Sequence, residues 1–211
     1  MSLQVISIPP ASGHAAQAVI VILHGWGANA ADLAPLAEFL NLPDYQFYLP
    51  NAPWPHPQVA GGLMWYDLWQ NQQGLPESRH HLKTWLTDLP SLTGLPLKQT
   101  VLAGFSQGGA MTLDVGLNLP LAGLISWSGY LHAPVFGSAV SEGIANSAYP
   151  PVLMVHGRQD AVVPLALAHQ AQASLNLAGV SVQYHEFEIG HEILPDVLSL
   201  SREFIQTVLG R

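Results

Sequence analysis

The sequence predicts an α/β fold: a mostly parallel central sheet with helices on both faces. Three observations carry that prediction. From residue 18 onward, short β-branched runs alternate with stretches of helical spacing, the order of a parallel sheet joined by crossover helices. The runs Ala18–Leu23 and Pro151–Val155 are apolar without interruption, as strands buried on both faces must be. Between a third such run and a helical stretch, Gly104-Phe105-Ser106-Gln107-Gly108 matches G-x-S-x-G. That pattern builds a tight strand-to-helix turn holding a serine hydroxyl at the sheet's carboxyl edge. With 211 residues, one domain spanning 1–211 is expected. Such a chain can bury a core without disulfides.

Each element follows from local pattern. Leu3–Ile8 alternates weakly and reads as an edge strand, followed by a turn over Pro9–Gly13. Ala18–Leu23 is a buried strand that ends in His24-Gly25-Trp26-Gly27. A helix begins at Asn29 or Ala30, with Leu33, Leu36, Ala37 and Leu40 on one face. Gln46–Leu49 is a short strand, and the span 50–62, with prolines at 50, 53, 55 and 57, reads as a loop. Gly62–Trp69 is aromatic and apolar between loops, and Leu75–Leu89 is helical. Thr100–Ala103 leads into the serine turn, and Ala110–Leu117 is the helix beyond it. Leu121–Trp127 and Pro151–Val155 are strands, and Pro134–Tyr149 is too rich in small residues to assign. Pro164–Leu177 is a helix with proline in its first turn. Val180–Phe187 alternates as a strand, and Glu192–Leu209 has helical spacing up to Gly210.

Composition excludes several classes of function. Hydrophobic residues make up 49% and charged residues 9%, so the chain is not disordered. So little charge also points to an exposed apolar surface, a groove or a subunit contact. The net charge of −8 and the isolated placement of all six lysines and arginines argue against nucleic acid. Without cysteine there is no disulfide framework, thiolate nucleophile or thiolate metal site. The first ten residues carry no basic residue ahead of their short apolar run, unlike a signal peptide. The longest apolar run, Ala18–Leu23, is far too short to cross a bilayer. A cytoplasmic location is expected. No H-E-x-x-H or G-x-G-x-x-G is present, so neither metal nor nucleotide cofactor is expected.

A serine hydroxyl needs a base to become a nucleophile, and the base needs an acid to orient it. Two later strand ends can supply them: Asp160 after Pro151–Val155, and His191 after Val180–Phe187. The chain order Ser, Asp, His is the one that goes with a G-x-S-x-G turn. Among ten histidines, His24 and His156 precede glycine at strand ends and read as structural. His185 lies within a strand and His80 and His81 on a surface helix, while His14, His56, His132 and His169 have no acid placed behind them. Asp114 lies two helical turns beyond Ser106, Asp67 reads as a loop anchor, and Asp196 as a first-turn helix residue. The oxyanion of a tetrahedral intermediate needs preorganised N–H donors. The backbone N–H of Gln107 is one, and the N–H of Trp26 in the early strand-end loop is the other.

Taken together, Leu23-His24-Gly25-Trp26-Gly27, Gly104 through Met111, His156 through Asp160, Val162-Val163-Pro164 and Gly190-His191 resemble the phospholipase/carboxylesterase family. That family includes acyl-protein thioesterases and small bacterial carboxylesterases. The resemblance spans nearly the whole chain, and the blocks come in the family's order. It implies an α/β-hydrolase fold and hydrolysis of carboxylic esters or thioesters, with small-molecule esters or acylated molecules as substrates. It assigns the same three catalytic residues, Ser106, Asp160 and His191, and the same two oxyanion donors. Met64-Trp65-Tyr66-Asp67 is similar to a segment beside the family's substrate channel. Trp26, Met64, Trp65, Val162 and Val163 are accordingly expected to contact substrate. Trp26 stands where a leucine is usual, and its bulk narrows the acyl side. Ala161 stands where proline is frequent, which would loosen that loop. The apolar stretch between Pro50 and Trp69 would line a groove or form a homodimer face, although aromatics in such a stretch more often pack as plain core. Two other functions are compatible with the motifs: a dienelactone-hydrolase-like enzyme, and a hydrolase-like fold that only binds ligand.

Overall fold

The structure is a computed structural model that describes residues 3–133 and 149–210. The unassigned stretch beginning at Pro134 lies, as far as residue 148, outside the described residues. The strands are β1 (Val5–Ile8), β2 (Ala18–Leu23), β3 (Tyr45–Pro50), β4 (Trp54–Pro55), β5 (Leu63–Met64), β6 (Thr100–Phe105), β7 (Gly123–Trp127), β8 (Val152–Gly157) and β9 (Val182–Phe187). Seven of them form one sheet in the order β1-β3-β2-β6-β7-β8-β9. The edge strand β1 runs antiparallel to β3, and every other pairing in this sheet is parallel.

Side-chain alternation along β2 explains why this strand is apolar at every position. Val19, Val21 and Leu23 enter one core, and Ala18, Ile20 and Ile22 enter the other. The first core is closed by Leu82, Leu86 and Leu89 of α3 (Leu75–Thr93), Met111 and Leu113 of α4 (Gln107–Gly116) and Leu175 of α5 (Leu165–Leu177). The second is closed by α1 (Ala30–Leu33), α2 (Leu36–Leu40) and α6 (Pro195–Val208), through Ala30, Leu40, Val197, Phe204 and Ile205. Each fully buried Leu or Ile contributes about 1.5–3 kcal/mol, so the two layers hold the sheet rigid under its carboxyl edge.

Several boundaries differ from the sequence reading, each for a local reason. The helix expected through Leu40 is two short helices, because Pro35 cannot donate the N–H that would continue the first. Its start is as read: the Asn29 side chain accepts from the Ala31 N–H, and Asp32 accepts from the Asn29 N–H, each at 2.8 Å. α3 runs past Leu89 through Pro90 to Gly94, where φ of 75° ends it. α6 begins at Pro195 rather than Glu192, which leaves 192–194 in the loop that carries His191. The span 50–62 is not loop throughout, since β4 pairs with β5 in a small antiparallel hairpin. α4 starts at Gln107, three residues before the expected Ala110.

That early start depends on close approach. A Cβ on Gly108 would lie 2.3 Å from the Leu23 carbonyl oxygen and 2.6 Å from that of His24, both backbone atoms. Gly108→Ala should therefore cost about 3 kcal/mol or more by overpacking. The check is the urea midpoint, which should fall with the denaturant slope unchanged.

Candidate active site

The elbow between β6 and α4 is one residue long. Ser106 has φ of 55° and ψ of −117°, a region that costs a non-glycine residue on the order of 1–3 kcal/mol. Two backbone hydrogen bonds hold it, from the Ser106 N–H to the Trp127 carbonyl (2.8 Å) and from the Ala110 N–H to the Ser106 carbonyl (3.0 Å). The glycines on either side make room, since a Cβ on Gly104 would lie 2.2 Å from the Gly108 carbonyl oxygen. Ser106 thus sits at the N-terminus of α4, where the helix dipole favours negative charge.

Asp160 and His191 meet above the ends of β8 and β9. The two loops are tied together by the Arg158 N–H to the Phe187 carbonyl (2.8 Å) and the Gln159 N–H to the Ile189 carbonyl (3.0 Å). One oxygen of Asp160 accepts the backbone N–H groups of Val162 and Val163, both at 2.8 Å. These bonds brace the loop without the proline that Ala161 replaces. The other oxygen lies 2.7 Å from His191 Nδ1. Burial opposes the charge of Asp160, but the bonds from His191, Val163 and Val162 outweigh it and hold its carboxyl below the ordinary carboxylate value. An ionised carboxylate accepts only, so Nδ1 carries the proton and Nε2 presents its lone pair. The imidazole lies beside the elbow, its ring centroid 4.7 Å from that of Phe105. His156 supports the loop from beneath: its buried Nε2 donates to the Val163 carbonyl at 2.9 Å and lies 3.5 Å from Asp160.

The loop after β2 passes against the serine, for a Cβ on Gly25 would lie 3.3 Å from Ser106 Cβ. The loop is pinned to β5 by the Gly27 N–H to the Leu63 carbonyl (2.8 Å) and the Leu63 N–H to the Ala28 carbonyl (2.9 Å). His24 is wholly buried. Its Nε2 accepts the Ala52 N–H at 3.0 Å, which makes Nδ1 the protonated nitrogen, and Nδ1 donates to the Gly25 carbonyl at 2.8 Å. That bond fixes the Gly25–Trp26 peptide plane and so fixes the direction of the Trp26 N–H. Among the described residues, neither the Trp26 nor the Gln107 backbone N–H has a protein acceptor. The Gln107 side chain is turned inward, accepting from the Trp65 N–H and donating to the Tyr66 carbonyl, both at 2.8 Å.

Comparison with known proteins identifies the family. The family model for phospholipase/carboxylesterase matches residues 7–209. The chain belongs to the phospholipase/carboxylesterase family. It is an α/β-hydrolase-fold enzyme of the serine hydrolase type. It is 28% identical to acyl-protein thioesterase 1 of Saccharomyces cerevisiae, over 92% of this chain and 94% of that protein. The crystal structure of esterase PE8 superposes with a TM-score of 0.87 at 34% identity, covering 99% of this chain and 100% of that one. The Bacillus cereus carboxylesterase shares the fold, with a TM-score of 0.80 at 17% identity over 98% of this chain and 94% of that one. No described helix is long and apolar enough to cross a membrane.

Within this family member, the residues expected to contact substrate divide. Trp26 is half-buried, edge-on to His56 (centroids 4.3 Å apart) and to Trp69 (4.6 Å). Met64 lines a groove with Trp54, Asp67 and Glu77, and Val162 is 66% exposed. Trp65 is a correction: at 0% exposure its ring has no face to offer a ligand. Val163, at 6%, is almost as enclosed, and its two backbone groups are taken by Asp160 and His156. Two histidines read as lacking an acid have one, because the partners come from distant segments. His132 Nδ1 lies 3.2 Å from Asp114, which also pairs with Arg79, and His169 Nε2 lies 2.7 Å from Glu186. Asp67 is the loop anchor expected, accepting from the Trp69 N–H and from the Gln70 side chain. Among the described residues, no three His, Asp or Glu side chains are grouped as ion ligands.

Burial holds the pKa of His24 below its usual 6.5, with smaller opposing effects from the Gly25 carbonyl and Asp32. The unfolded chain binds the proton more readily, so acid favours unfolding through this residue. Its share of stability is complete above 6.5 and declines as pH falls from there toward the folded value. The melting temperature should drop over that window, and His24→Gln should flatten this part of the profile.

Proposed function

We propose that the protein is a carboxylesterase, able to accept thioesters, that works through an acyl-enzyme intermediate with Ser106 as nucleophile, His191 as base and Asp160 as orienting acid. The observation that carries this reading is the 2.7 Å contact of His191 Nδ1 with the buried Asp160, beside the strained serine elbow. His191 Nε2 takes the Ser106 hydroxyl proton as Oγ attacks the carbonyl carbon. The carbonyl oxygen becomes an oxyanion, held by the Trp26 and Gln107 N–H groups. As the tetrahedral species collapses, the bond to the alcohol or thiol breaks and His191 returns its proton to the leaving group. Water, deprotonated by the same imidazole, then attacks the acyl-serine, and the carboxylic acid leaves as Ser106 regains its proton.

The substrate is a small ester or an acylated molecule. Thioester cleavage is favoured by the likeness to a yeast acyl-protein thioesterase. The Trp26 ring, braced by His56 and Trp69 next to an oxyanion donor, favours short acyl groups.

Ser106→Ala should abolish hydrolysis of p-nitrophenyl butyrate and labelling by a fluorophosphonate probe. A protein of this fold that only bound ligand would leave the probe unreacted in the wild type as well. Asp160→Asn should lower kcat by about ten-thousandfold, because an asparagine amide can face Nδ1 as a donor and select the wrong tautomer. Trp26→Leu should raise turnover of p-nitrophenyl octanoate relative to the acetate in a chain-length series.

A further inference from the structure

Trp65 is the largest fully buried side chain of the chain's aromatic stretch, and all three of its polar groups are used. Its carbonyl accepts from the Ser78 hydroxyl on α3. Its backbone N–H donates to Gln107 Oε1 at 2.8 Å, and its indole Nε1–H donates to the His24 carbonyl at 3.0 Å. It therefore makes one hydrogen bond to each of the two segments whose backbone N–H groups, at Trp26 and Gln107, have no acceptor among the described residues.

Those two segments are far apart in the chain and also meet at Gly108, which packs on the Leu23 and His24 backbone, and at Gly25, which packs on Ser106 and Phe105. On the α4 side, the Gln107 amide pairs with the 65–66 backbone much as a neighbouring strand would, one end accepting and the other donating. On the β2 side, the indole holds the His24 carbonyl, and with it the His24–Gly25 peptide plane. The next plane, Gly25–Trp26, is already held by the His24 imidazole. Both planes leading to the Trp26 N–H are thus locked, the first of them by Trp65.

We propose that Trp65 is a positioning residue that sets the spacing and direction of the two oxyanion donors. This rests on the reading of Trp26 and Gln107 as those donors. Being wholly enclosed, Trp65 acts through them and touches no substrate. Donors that are slightly misaimed still admit the planar ester but hold the tetrahedral oxyanion less well, so the loss falls on the transition state.

Trp65→Phe keeps most of the ring and removes the indole donor. Its kcat on p-nitrophenyl butyrate should fall by about tenfold to a hundredfold. KM should stay within about twofold, the signature of an interaction made in the transition state. Affinity for an alkyl trifluoromethyl ketone, which forms a tetrahedral anion on a reactive serine, should fall by the same factor as kcat. Gln107→Ala breaks the other bond while keeping the Gln107 backbone N–H, and should give the same pattern. A purely structural Trp65 would lower the melting temperature and the number of titratable sites, yet leave kcat per site and ketone affinity at wild-type values; that result overturns the proposal. If Trp65→Phe does not fold, wild-type ketone affinity in Gln107→Ala overturns it instead. Retained turnover in Ser106→Ala would remove the triad reading and this proposal together, whereas loss there with a wild-type Trp65→Phe removes only the role of Trp65.

Discussion

One backbone torsion constrains the rest of the molecule. Ser106 adopts a left-handed φ with a side chain attached, and the surrounding chain is arranged so that it can. Gly104 and Gly108 touch backbone where any Cβ would collide, and the first turn of α4 lies directly on the end of β2. This forces the helix to start at Gln107, two residues after Phe105 ends β6. The hydroxyl, the helix N-terminus and the β2 loop are thereby brought to one point. The strain of order 1–3 kcal/mol at Ser106 is small beside the apolar burial in the two layers that clamp the sheet.

The same close packing explains the polar side chains buried beneath the site. Ordinary core positions would be apolar, but loops that must hold an exact shape need their peptide groups fixed. His24, Gln107, His156 and Trp65 each spend their polar atoms on backbone groups of a neighbouring loop. Asp160 does so with one oxygen and turns the other to His191. In this way the end of β2 is linked to the start of α4 through Trp65 and Gln107, and the loops after β8 and β9 are linked through Asp160.

Much of this was legible from short range. The apolar runs of β2 and β8 marked buried strands because a strand covered on both faces has no polar position to show. Gly104 and Gly108 marked the elbow because only glycine allows that approach, and the spacing of Leu33, Leu36, Ala37 and Leu40 marked helix from about Asn29. Asp160 and His191 could be picked out because strand ends in an open α/β sheet share one edge. Less was legible where partners are remote in sequence. Trp65 looked like a pocket residue, since nothing local distinguishes an aromatic facing a ligand from one facing the β2 loop, 41 residues away in the chain. The acids beside His132 and His169 escaped notice for the same reason.

By itself, then, the sequence determined the α/β class, the serine elbow and the chain order of the residues above it, because backbone sterics and strand periodicity act over a few residues. Only the tertiary structure decided which buried polar atoms serve which loop, that the imidazole of residue 191 is backed by Asp160, and that Trp65 joins the β2 loop to α4. Those outcomes depend on directions and distances between segments scores of residues apart, and no local pattern encodes them until the two layers have closed on the sheet.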